Sequence, residues 1–165
     1  MKNLQYYINE LKKIHTKKCL VITDNQLEKP HPIILWANKE MEKLTGYTLE
    51  ELKANSPRVL QGPDTDRKTL DRLRATLERG AIFEGGIVNY RKNGTKFYKA
   101  WRIAPIKDDD GKVLYYFAVH KETTPEECQK ALQKIAKLQN DVLARLGSRH
   151  QVTLKTELPR ISGPP

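Results

Sequence analysis

The chain has 165 residues, 38% hydrophobic and 30% charged, with a net charge of +10, which suits one domain of about 100–150 residues plus extensions and excludes two full domains. No stretch approaches the ~18 apolar residues of a membrane span, Met1-Lys2-Asn3-Leu4-Gln5-Tyr6-Tyr7 lacks the apolar core of a signal peptide, and Cys19 and Cys128 make neither a CxxC nor a zinc spacing, so a cytoplasmic location is expected and a disulfide scaffold or zinc finger is excluded. The charge divides as +4 over 1–18, +3 over 19–122 and +3 over 123–165; basic ends can meet nucleic acid, anionic lipid or an acidic partner, or form a plain solvated surface.

Leu4, Tyr7, Ile8 and Leu11 recur at helical spacing and predict a flanking helix within residues 1–18. Cys19-Leu20-Val21-Ile22-Thr23 reads as a buried strand, Asp24-Asn25-Gln26 as a turn, and Ile33-Ile34-Leu35-Trp36-Ala37 as a second strand. Asn38 can cap the helix that follows through Met41 and Leu44 to Gly46. Thr48-Leu49-Glu50-Glu51 is a capping box opening a short helix that Pro57 must stop. Pro63-Asp64-Thr65-Asp66 opens another, with Leu70, Leu73 and Leu77 on its buried face and Gly80 at its end. The period then changes to that of strands: 83–90, 96–103 and 113–120, joined by Asn93-Gly94 and by Asp108-Asp109-Asp110-Gly111. Thr124-Pro125-Glu126-Glu127 predicts the cap and first turn of a long helix over 123–147. Its stripe of Leu132, Ile135, Gln139, Val142 and Leu146 suits either a short coiled coil or docking on the chain's own sheet. Residues 148–165 are expected to be a flexible tail.

Two strands, a cluster of short helices and three antiparallel strands make an α+β domain over 19–122, with short helices on one face of a five-stranded sheet. This order is PAS-like. Arg58-Val59-Leu60-Gln61-Gly62-Pro63-Asp64-Thr65-Asp66-Arg67 resembles the flavin-cradling segment of LOV (light-oxygen-voltage) domains, which read N-C-R-F-L-Q-G-P-x-T-D. Val21-Ile22-Thr23-Asp24, Leu44-Thr45-Gly46-Tyr47 and Asn89-Tyr90-Arg91-Lys92-Asn93-Gly94 extend the resemblance over roughly 19–122. It implies a sensory domain, not an enzyme, that binds flavin mononucleotide (FMN). The positions matching Arg58, Gln61 and Arg74 would hold the phosphate and ribityl chain, and Asn89 would hydrogen-bond the ring edge. The chemistry agrees, because a phosphate dianion suits guanidinium forks, and Arg67 and Arg74 lie seven apart on nearly one helix face.

Other positions depart from the family. Pro57 stands where the photoreactive cysteine would be, so no cysteinyl–flavin adduct can form there, and Ser56 replaces the asparagine before it. Lys99 replaces the second ring-binding asparagine, and His120 replaces the glutamine that relays the light signal. Asn38 also counts among the candidate cofactor contacts. Lys99 can set a charge beside the flavin or be a solvated edge lysine; His120 can act at a flavin, ligate haem iron, or simply be hydrogen-bonded. Arg91, Lys92, Lys96, Lys99 and Arg102, interleaved with Tyr90, Tyr98 and Trp101, can contact RNA or blunt a sheet edge. There is no catalytic triad, Walker loop or GxGxxG. Three readings follow: a cysteine-less flavin sensor signalling through its flanking helices to a separate protein partner, a flavin-free interaction module, and a nucleic-acid-associated basic protein. A sheet face left partly bare by the short helices predicts a homodimer built from sheet faces and both terminal helices together.

Overall fold

Side-chain oxygens open most of the helices, as their residue types demand. In the computed structural model, which describes residues 2–147, Asn3 caps α1 (Leu4–Lys12), Asn38 caps α2 (Lys39–Thr45), and Asp66 caps α4 (Arg67–Glu78). Thr48 and Glu51 form the complete capping box of α3 (Leu49–Lys53). The expected tail 148–165 lies outside the described residues.

Two local expectations change. Pro57 does not stop a helix; α3 has already ended at Lys53, and Pro57 begins a 3₁₀ turn, Pro57–Leu60. Its missing N–H is harmless at that first position. The long helix α5 is Cys128–Arg145 and has no side-chain cap. Thr124 Oγ1 and Thr124 O both accept from the Glu127 amide, which closes Thr124–Glu127 as a separate turn ahead of the helix.

β1 (Cys19–Thr23), β2 (Ile34–Ala37), β3 (Phe83–Tyr90), β4 (Lys96–Lys107) and β5 (Val113–Glu122) form one antiparallel sheet in the order β2-β1-β5-β4-β3. β5 is therefore central. Alternation then sorts each strand onto two faces. Leu20, Ile22, Ala100, Ala104, Ile106, Phe117 and Val119 join one core with α1 and α5. On the other face, α2, α3 and the 3₁₀ turn pack over Cys19, Val21, Ile34 and Ala118, while α4 packs over Phe83, Ile87, Trp101 and Tyr116.

The stripe of α5 takes the docking alternative. Ile135, Gln139, Val142 and Leu146 are all at most 2% exposed, and they pack against the same chain's sheet. Gln139 is held by polar bonds too. Its Nε2 donates to the carbonyls of Arg102 (3.1 Å) and Phe117 (2.9 Å), and its Oε1 accepts from Arg102 Nη1 at 2.6 Å. Arg102 is itself buried and keeps Glu84 Oε2 at 3.1 Å. The sheet face expected to seek a second chain is covered by α1 and α5 of the same chain. Among the described residues no helix is long and apolar enough to cross a membrane.

Candidate functional site

The helix-side face carries two separate cores, one under α2 and α3 and one under α4. Between them lies a cavity of about 230 Å³. Short elements with fixed ends set its walls: the 3₁₀ turn brings Ser56, Pro57 and Arg58, its C-cap brings Gln61, and α4 brings Arg67 and Arg74. From the sheet come Asn89, Lys99, Trp101 and His120, all at inward positions of β3, β4 and β5. Apolar side chains fill in between them, among them Val21, Leu70, Ile87 and Ala118.

Eight of the nine residues singled out from the sequence meet at this cavity. Asn38 does not. Its Oδ1 accepts from the amides of Leu20 and Met41, its Nδ2 donates to Lys18 O, and it faces a separate open groove beside α1. Its polar atoms tie β1 to α2, which is a structural role, so the cofactor assignment for Asn38 is corrected.

The cationic end of the cavity is tied down by one short segment. Arg58 Nε donates to His31 O and its Nη2 to Leu27 O, each at 2.9 Å. Arg74 Nη1 also donates to Leu27 O (3.2 Å), and its Nη2 pairs with Glu28. Sequence reasoning missed Leu27, and nothing local marks it, because its role is that of a backbone carbonyl. Arg74 Nε lies 3.2 Å from Glu78 Oε2, so the guanidinium is paired with Glu28 and Glu78 in the absence of a ligand. Gly62 is dictated by packing: a Cβ there would sit 2.4 Å from the Tyr90 ring, whose hydroxyl accepts from the Asp64 amide.

The sheet end is different. Lys99 stands opposite Glu122 in the β4–β5 register, and His120 opposite Trp101, so Lys99 and His120 are diagonal neighbours on the inward face. Lys99 Nζ lies 2.8 Å from His120 Nδ1, and both residues are under 5% exposed. Lys99 is therefore not a solvated edge lysine. Burial pushes its ammonium down to about 7. Burial, and next the Lys99 charge, holds His120 well below the usual imidazole value. Two cations at this distance repel, so the pair carries at most one positive charge near neutrality. The ammonium position also lies 5.0 Å over the Trp101 ring. Asn89 is buried with Nδ2 donating to Val88 O.

The basic hairpin does not form one surface. Arg102 points to the α5 side and Lys99 to the cavity, while Arg91, Lys92 and Lys96 pair with Glu122, Glu51 and Asp64. Trp101 is buried as well. The alternation needed for an RNA-stacking face is split between the two sides of the sheet. Among the described residues no group of three or more His, Cys, Asp or Glu could hold a metal ion. Cys19 is buried on β1, and burial raises its thiol to about 12. Neither cysteine lines the cavity.

Comparison with known proteins agrees with this fold. Residues 18–125 match the PAS domain family. Phototropin-1A of Oryza sativa subsp. japonica is 39% identical over 94 residues, 57% of this chain and 10% of that protein. The blue-light photoreceptor of Listeria innocua is 36% identical over 129 residues, covering 75% of this chain and half of the relative. The chain thus spans a tenth to half the length of these relatives. A solved structure described as "Flavin Analogue Sheds Light on Light-Oxygen-Voltage Domain Mechanism" superposes with a TM-score of 0.65 at 30% identity, over 81% of this chain and 95% of that one.

Proposed function

The chain belongs to the PAS domain family, as a sensory module with LOV relatives, and from that premise we propose that it binds FMN in the 230 Å³ cavity and signals without a cysteinyl bond. The observation that carries this reading is the convergence of Arg58, Arg67 and Arg74 with Gln61 and Asn89 on one cavity with apolar walls. The chemistry of the lining fits a flavin mononucleotide: guanidiniums for the phosphate, Gln61 for the ribityl hydroxyls, and Asn89 for the polar ring edge. The cavity lies below the about 300 Å³ at which small-molecule pockets usually begin, so binding has to free Arg74 from Glu28 and Leu27 and widen the mouth.

A bound flavin supplies light absorption and reversible electron uptake. The protein's part is to hold it and to register its charge. Pro57 on the cavity wall has no thiol to offer, and Cys19 lies outside the lining with its proton held by burial. The signal then has to pass through hydrogen bonds and charge at Asn89, Lys99 and His120. From β4 and β5 it reaches the α5 face through Arg102 and Gln139, and from there a separate protein partner.

The test is the visible spectrum of the purified chain, before and after incubation with FMN. Structured flavin absorption in the blue, lost in Arg58→Ala and Arg74→Ala, supports the reading. A sharp haem band in its place overturns it. A colourless protein that takes up no FMN overturns it too, and leaves the flavin-free interaction module.

A further inference from the structure

We propose that Lys99 is a carbonyl-reactive amine, and that the cavity takes an aldehyde bearing an anionic group, held reversibly as an imine on Lys99 Nζ. The proposal does not rest on flavin binding; it concerns the flavin-free cavity.

Geometry carries it. Lys99 is 4% exposed yet lines the cavity, so its side chain borders a partly open space in the protein while being largely shielded from bulk water. Among the described residues no carboxylate lies within ion-pair distance of it; the backbone partner Glu122 is turned to Arg91. Its polar neighbour is His120 Nδ1 at 2.8 Å. The groups that face it are His120 from β5, Cys19 from β1 and uncharged Asn89 from β3, with Arg58, Arg67, Arg74 and the carboxylate of Asp71 lining the same cavity. Cys19 stays a thiol and Asp71 makes no ion pair with Lys99, so neither holds an ammonium at this spot. A lysine so placed loses its proton readily, which is the state that attacks carbonyls. With its ammonium lowered to about 7, Lys99 presents about a thousandfold more free amine at neutral pH than a lysine at ~10.4.

The chemistry balances. The Nζ lone pair adds to the carbonyl carbon while the C–O π bond opens. The two amine protons pass to oxygen, with His120 Nδ1 as the adjacent relay. The remaining C–O bond breaks, water leaves, and C=N forms. No electrons change hands, and water is the only by-product. The three arginines favour an aldehyde with a phosphate or carboxylate tail.

Pyridoxal 5′-phosphate is the probe. Flavin-free full-length chain is mixed with one equivalent at about pH 7.5, trapped with borohydride, and read by intact mass and peptide mapping. The expected result is one adduct, on Lys99, from a chain with 20 lysines. Its rate should level off above about pH 7, whereas surface lysines keep accelerating toward ~10.4. Lys99→Met should lower incorporation at least about tenfold. Adducts scattered over other lysines, or none on Lys99, would overturn the proposal. The peptide map of the unmutated chain decides even if the variant misfolds. Because no flavin is present, failure of FMN binding leaves the result untouched.

Discussion

Gln139→Ala tests what holds α5 to the sheet. Gln139 is fully buried and makes three bonds: it accepts from the Arg102 guanidinium at 2.6 Å and donates to the carbonyls of Arg102 and Phe117. A bond to a charged group contributes about 1.5–3 kcal/mol and each neutral bond about 0.5–1.5 kcal/mol. Carbonyls within the β4–β5 ladder have other partners, so the neutral pair sits at the low end. The sum is about 2.5–4 kcal/mol, a large share of the ~5–15 kcal/mol of a typical domain. Arg102 keeps Glu84 and Asn140, which limits the loss. Urea denaturation gives the cost directly, and a thermal midpoint should fall by about 10 °C at ~2–4 °C per kcal/mol. The sharper measurement is a double-mutant cycle with Arg102→Met. The coupling should be about 1.5–3 kcal/mol, because the charged bond is present only when both residues are. A cost under about 1 kcal/mol, or purely additive mutants, would refute the polar lock and leave apolar packing alone to hold the helix.

Arg74→Ala should weaken FMN binding about tenfold or more, as one charge-assisted contact is worth about 1.5–3 kcal/mol; unchanged flavin content would sink the phosphate assignment. In flavin-loaded protein, blue light should produce no thermally reversible bleached species, while Pro57→Cys should produce one, and its appearance in the unmutated chain would contradict the reading of position 57. Stability should rise with pH from about 7, the value to which burial lowers Lys99, because the unfolded chain still binds a proton there (model lysine ~10.4) and the native one does not; the slope is at most ~1.4 kcal/mol per unit. The rise should fade near pH 9, where the unfolded Cys19 thiol ionises while the native one, at about 12, does not, a contribution of opposite sign. Urea midpoints across this range check it, and a profile equally steep in Lys99→Met would contradict it. Light scattering should find the full chain as a monomer of 19.1 kDa, since α5 covers its own sheet; a chain ending at Thr124 bares Ile22, Phe117 and Val119 and should aggregate. A dimer of the full chain would mean that another surface pairs the copies.

Chain-local chemistry was legible without coordinates. Asn38, Thr48 and Asp66 cap where their side-chain oxygens require, and the change from helical to strand period after Gly80 marks three strands. The resemblance to LOV domains linked the segment from Arg58 to Arg67 with the Asn89 strand, and the fold brings Arg58, Gln61, Arg67 and Asn89 to one cavity. Three decisions belonged to the tertiary structure. Whether α5 pairs with a copy or docks at home depends on what the sheet offers, and Arg102 with the Phe117 carbonyl offers Gln139 its partners. Asn38 reads alike as a cap and as a ligand contact until β1 arrives beside it. A lysine at a strand position carries no sign of its surroundings. Lys99 became a buried amine because β4–β5 register set it diagonal to His120 on the inward face of the sheet, where water, which keeps lysines charged, is largely excluded.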